Sequence, residues 1–131
     1  MSLRWYSIVV DCLDVKSQGH WWASVLGWEI AYEADDEVVV APPHLLDSSR
    51  EIPRAERGPD LVFVPVAGAK IVKNRLHIDL APAPGDDQAA EVRRLESLGA
   101  HRVDVGQDDD ASWVVLSDPE GNEFCVLSPR T

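Results

Sequence analysis

The stretch KNRLHIDL, residues 73–80, carries the residue types in this chain best suited to chemistry. In an extended strand successive side chains alternate between faces. Arg75, His77 and Asp79 therefore share one face, and Leu76, Ile78 and Leu80 share the other. A guanidinium can clamp an anionic group, an imidazole can accept or return a proton, and a carboxylate can orient that imidazole. An apolar face opposite such a row fits a strand packed on helices behind and lining a cavity in front. The plainer alternative is a half-buried strand whose polar row meets solvent, with Arg75 and Asp79 paired as a structural salt bridge. The rest of the chain decides by whether it builds a pocket around that face.

The flanking elements repeat in order. WYSIVVDCL (5–13) reads as a β-branched strand, and Asp14 caps a helix to about Leu26 with Val15, Trp22, Val25 and Leu26 as its apolar stripe. Gly27 stops that helix. Strands follow at 28–34 and 37–41, joined at Asp35-Asp36, then a long connection over 42–59 and a strand at 60–66. In the second half, 75–80 is a strand and Asp86 or Asp87 caps a helix carrying Ala89, Val92, Leu95 and Leu98 at helical spacing. Gly99 stops it, and strands are predicted at 101–105, 112–116 and 122–127. The last two are joined through Asp118-Pro119-Glu120-Gly121, a strong turn signal.

Strand, helix, Leu-Gly and three strands thus occur twice, a repeat of architecture rather than of identity. Each half alone is small for a core, which favours pairing the two. The length of 131 residues fits one domain. The net charge of −11 argues against a nucleic acid partner, which needs a basic face. No apolar run is long enough to span a membrane, and no signal peptide is evident. Cys12 and Cys125 are too few for a disulfide scaffold, so a cytoplasmic protein with free thiols is expected.

Four pieces together carry a resemblance: DCLDVKSQGHWWASVLG (11–27), KNRLHIDL (73–80), VRRLESLGA (92–100) and DPEGNEFCV (118–126). The chain resembles the vicinal oxygen chelate superfamily, which includes glyoxalase I, extradiol dioxygenases and bleomycin resistance proteins, and most of all the glyoxalase-like domains of bacterial proteins. The resemblance covers nearly the whole chain. It implies an α+β fold of two βαβββ modules, about 4–68 and 73–129 of one domain spanning 1–131. Their strands would form a curled mixed sheet around one cavity, with the helices outside.

Metal-dependent members of that superfamily place four ligands, His, Gln or Glu, on the first and last strands of the two modules. Carried over, these positions fall on Ser7 (or Val9 when Asp11 is matched to Asp79), on Phe63 or a neighbour, on His77 and on Cys125. Only His77 matches, so no metal cofactor is expected; a displaced site drawing on Asp11, Asp79 or Glu123 is the alternative. The resemblance also turns Arg75, His77, Asp79, Glu123 and Cys125 toward the cavity and Phe124 and Val126 toward the helices. His77 and Asp79 are then the catalytic candidates. Trp5, Ser7, Phe63, Arg75, Trp113, Glu123 and Cys125 are the candidate ligand contacts, with Trp5 and Trp113 able to stack on a flat molecule. The expected function is binding of a small molecule, as a homodimer. The alternative is a lyase, isomerase or dioxygenase of the same superfamily using His77 with a non-standard metal site.

Overall fold

Alternation of apolar and polar side chains sets the strands, and two capped helices cover them. The computed structural model of the protein describes residues 3–47, 49, 51–53 and 56–130. Of the connection expected over 42–59, Ser48, Arg50, Arg54 and Ala55 lie outside the described residues. The chain divides into two units, 1–69 and 70–131.

The first unit runs β1 (Ser7–Cys12), α1 (Val15–Leu26), β2 (Glu29–Ala34), β3 (Glu37–Ala41), a short helix α2 (Pro43–Leu46) inside the 42–59 connection, and β4 (Asp60–Pro65). Its sheet has the order β1-β4-β3-β2, with β1 and β4 parallel and the other pairs antiparallel. Asp14 caps α1 by accepting from Ser17 N at 3.1 Å. Gly27 ends the helix at φ 65°, a left-handed conformation that costs a residue without Cβ nothing. The buried face of α1 holds Val15, Gln18, Gly19, Trp22 and Val25. Gly19 is there for closeness: a Cβ on it would sit 2.5 Å from Val38 Cγ1. Beneath the helix lie Val38, Val40, Leu61 and Phe63, all buried.

The second unit repeats the plan with shorter strands: β5 (Ile78–Leu80), α3 (Gln88–Ser97), β6 (His101–Arg102), β7 (Val114–Ser117) and β8 (Glu123–Val126). The sheet order is β5-β8-β7-β6, again with first and last strands parallel. The fold is therefore α+β, with two four-stranded mixed sheets, neither closed into a barrel. Asp87 caps α3 through Ala90 N at 3.1 Å, and the Gln88 side chain ties the helix to Ser112 O and Val126 O at 2.9 and 3.0 Å. Val92 and Leu95 are its buried residues, whereas Ala89 and Leu98 of the expected stripe are exposed. The turn into β8 is organised by buried Asp118. It accepts from Glu120 N, Asn122 N and Asn122 Nδ2 at 2.9–3.0 Å while Gly121 takes φ 87°.

Three expectations are corrected here. The strand over 75–80 begins only at Ile78, and Leu76 is 89% exposed rather than part of an apolar face. The ladder with β8 begins at the Ile78–Phe124 pair. The preceding chain is held instead by a side chain, Asn74 N donating to Glu123 Oε1 at 2.7 Å. The strand over 101–105 ends at Arg102. Val103 N still donates to Val115 O at 3.1 Å, but beyond it the Gln107 and Asp104 side chains capture the backbone N–H groups of Val105 and Gly106, and Gly106 turns at φ 93°. Phe63, carried over as a ligand contact, is fully buried beside Gly19, on the packed side of its sheet. Among the described residues no helix is long and apolar enough to cross a membrane.

Candidate ligand cavity

β8 is the wall on which the site is built. Its alternation sends Phe124 and Val126 into the core, while Glu123, Cys125 and, past its end, Leu127 line a cavity of about 310 Å³ within the second unit. The parallel register sets Asp79 of β5 opposite Cys125. His77 stands one residue ahead of β5 and Trp113 one ahead of β7, and both line the same cavity with Val105, Val115 and Lys73. The lining thus combines aromatic and aliphatic surface with an imidazole, a thiol, two carboxylates and an ammonium.

The polar residues fall into two groups. In the first, His77 Nε2 lies 3.1 Å from Asp79 Oδ1, the two side chains being 43% and 49% exposed. Asp79 therefore pairs with His77, two residues away on the same face, and the Arg75–Asp79 pair is not what forms. Cys125, only 7% exposed, adds its thiol to this pair, so that donor atoms of His77, Asp79 and Cys125 lie within 4.8 Å of one another. Burial pushes the Cys125 thiol up, the Asp79 charge and its hydrogen bond with the thiol push it further, and Lys73 opposes them weakly. A thiol raised in this way stays protonated at neutral pH, as a donor rather than a nucleophile.

In the second group, Glu123 accepts from Lys70 Nζ at 2.6 Å and from Asn74 N at 2.7 Å, while Asn74 Nδ2 reaches the Glu123 carbonyl at 3.4 Å. Burial alone would raise the Glu123 carboxyl. The Lys70 ammonium and the Asn74 N–H outweigh burial and hold it below the ordinary range. Glu123 is committed to pinning the segment that leads into β5, which fixes the approach of His77.

Five of the residues singled out from sequence thus meet in one cavity: His77, Asp79, Trp113, Glu123 and Cys125. Arg75 is exposed and does not line it. Trp5 precedes β1, exposed, with its indole N–H donating to Ser7 O at 3.2 Å; it, Ser7 and Phe63 all belong to the first unit. Sequence reasoning missed Lys70 and Asn74 as the partners of Glu123. Asn74 lay within the stretch first singled out, but the pairing spans 49 residues and no local pattern announces it. Cys12 and Cys125 are both buried, and neither is in a disulfide.

The metal count also changes. Counting matching ligands gave one, His77; the structure brings a nitrogen, an oxygen and a sulfur donor together. Nitrogen, oxygen and sulfur donors are the types that hold a zinc-type ion, at bond lengths of about 2.0–2.3 Å. Glu123, held by Lys70, is not among them.

Residues 7–127 match the model of the glyoxalase-like domain family, and the chain belongs to that family, within the vicinal oxygen chelate superfamily. Comparison with curated protein sequences returns no match. Among solved structures the chain is similar to the fosfomycin resistance protein FosX of Listeria monocytogenes, complexed with Mn(II) and sulfate. That likeness has a TM-score of 0.69 at 10% identity, over 99% of this chain and 93% of the other. It is also similar to the oxidase ChaP-H2, with a TM-score of 0.65 at 18% identity over 99% and 96% of the two chains. A glyoxalase/bleomycin resistance protein/dioxygenase family enzyme from Burkholderia phytofirmans PsJN gives 0.62 at 13% identity over 98% and 100%. At such identities the likeness concerns the fold.

Proposed function

We propose that this glyoxalase-like protein binds a small molecule in the cavity of its second unit. The observation that carries the reading is the mixed lining. Trp113, Val105, Val115 and Leu127 offer apolar surface, and His77 with Asp79 offers a hydrogen-bonding pair in the same cavity. Trp113 stacks on a flat ligand, and the half-exposed His77–Asp79 pair fixes its polar end. The chain is one domain, in a homodimeric, cytoplasmic protein of bacterial type. Saturable quenching of Trp113 fluorescence by a planar aromatic acid or amide, lost in Trp113→Phe and weakened in His77→Ala, supports this. A cavity ligand whose affinity neither substitution alters overturns it.

The juxtaposed His77, Asp79 and Cys125 favour a second reading, a metal-assisted lyase, isomerase or dioxygenase of the same superfamily. In it those three side chains hold the ion, which supplies a Lewis acid for polarising an oxygen of the substrate. Asp79 also orients His77, and Glu123 with Lys70 keeps the approach to the site in place. Elemental analysis of protein purified without chelators separates the two readings. About one equivalent of zinc, manganese, iron or nickel, lost in His77→Ala and Cys125→Ser, establishes the second. A trace unaffected by either substitution leaves the first.

A further inference from the structure

The first unit holds a separate cavity of about 430 Å³ at the head of β4, beneath α2. Asp60, the first residue of β4, lines it together with Arg4, Arg57 and Tyr6, and Leu45 and Leu46 of α2 supply apolar surface. Among the described residues Asp60 Oδ1 is buried without a hydrogen-bond partner. Burial pushes its carboxyl up, opposed by its own backbone N–H. A buried acceptor left unmet is costly, so the position calls for a donor. The Arg57 guanidinium is aimed by its Nε, which donates to Ile52 O at 3.1 Å, and that of Arg4 lies 5.2 Å from the centre of the Tyr6 ring.

A simple anion would meet the Asp60 charge, and a simple cation would meet two guanidinium groups. A ligand bearing both charges satisfies both. We propose that this cavity binds a small zwitterion of the free amino acid class, its ammonium donating to Asp60, its carboxylate paired with Arg4 and Arg57, and its aliphatic side chain against Leu45 and Leu46. The site is independent of the cavity in the second unit and does not rest on the function proposed for that cavity.

The experiment is calorimetric titration of the full chain with L-leucine, N-acetyl-L-leucine and L-leucinamide, the last two lacking the ammonium and the carboxylate respectively. L-leucine is expected to bind, with each derivative at least about tenfold weaker, the scale of one charge-assisted hydrogen bond. Asp60→Asn and Arg57→Gln should each weaken L-leucine by a similar factor, and His77→Ala should leave it unchanged. Asp60→Asn should melt no lower than the parent, since it removes an unmet buried charge. No saturable binding of L-leucine, equal binding of the two derivatives and the amino acid, or a drop in melting temperature for Asp60→Asn would each overturn the proposal.

Discussion

The two units put one scaffold to two uses. In the first, the parallel pair β1·β4 sets Val10 beside Phe63; in the second, β5·β8 sets Ile78 beside Phe124, and both phenylalanines are buried. Taking these pairs as equivalent, Asp11 and Val64 of the first unit correspond to Asp79 and Cys125 of the second. One step back, Val9 and Val62 correspond to His77 and Glu123. A shared backbone register therefore carries valines at three positions where the second unit carries an imidazole, a carboxylate and a thiol. The same register equates Val9, rather than Ser7, with His77, and moves Phe63 into the core. Topology fixes which face looks out; it leaves open what chemistry stands there.

The helices differ in a matching way. Counting from the caps Asp14 and Asp87, the fifth residue is Gly19 in α1 and Val92 in α3, both buried. The first helix thus approaches its sheet where the second fills the gap with a side chain. Gly19→Ala tests this most severely. The added methyl would meet Val38 Cγ1 at 2.5 Å, and Val38 is itself fully buried and β-branched, so it cannot rotate away. Overpacking of this kind costs about 1–3 kcal/mol, against a helix-propensity gain of at most about 1, so a net loss of about 1–2 kcal/mol is expected in chemical denaturation. Gly19→Ala combined with Val38→Ala should recover part of it. An unchanged midpoint for the single variant would show that the helix has room to move outward.

Much of this scaffold was legible from sequence because its signals are local. Asp14 and Asp87 announce helix starts, Gly27 and Gly99 announce stops, and the turn at Asp118-Pro119-Glu120-Gly121 announces β8. The cavity-facing set 77, 79, 123 and 125 follows from alternation once β5 and β8 are recognised. Strand lengths were less legible, because they depend on what the neighbouring strand offers: the β5 ladder starts at Ile78 opposite Phe124, and the Glu123 side chain takes the Asn74 N–H ahead of it. The Lys70–Glu123–Asn74 link was invisible for the same reason. A loop lysine and asparagine have no periodic pattern, and only the folded chain brings them to β8.

That link sharpens the contrast, because Val62 at the equivalent place in the first unit can form none. Glu123→Gln should destabilise the protein by about 1 kcal/mol at neutral pH, since the amide can still accept one of the two donated bonds and solvent screens part of the charge. The pH dependence has a definite sign. The folded state holds the Glu123 carboxyl below its ordinary value of 4.5, so its contribution is complete above that pH. It is lost as pH falls through the lower, folded value. The stability gap between parent and Glu123→Gln should therefore narrow only in acid; a gap constant from neutrality down to strongly acid solution would mean that Glu123 acts through packing.

The smallest effect concerns the two thiols. Cys12 and Cys125 are both buried, yet they answer to different neighbours: the Cys12 thiol donates to Val64 O at 3.6 Å, and that of Cys125 meets the Asp79 carboxylate. After burial itself, Asp79 is what keeps the Cys125 proton on, whereas Lys73 works the other way. Removing the negative charge with Asp79→Asn should lower the Cys125 pKa, and since a full unit is a tenfold change in thiolate, a rise of about two- to fivefold in alkylation rate near pH 8 is expected. Lys73→Gln should slow the same reaction, and Cys12 should keep its rate in both variants. Both cysteines accelerating together in Asp79→Asn would trace the effect to a general opening of the fold rather than to the charge beside Cys125.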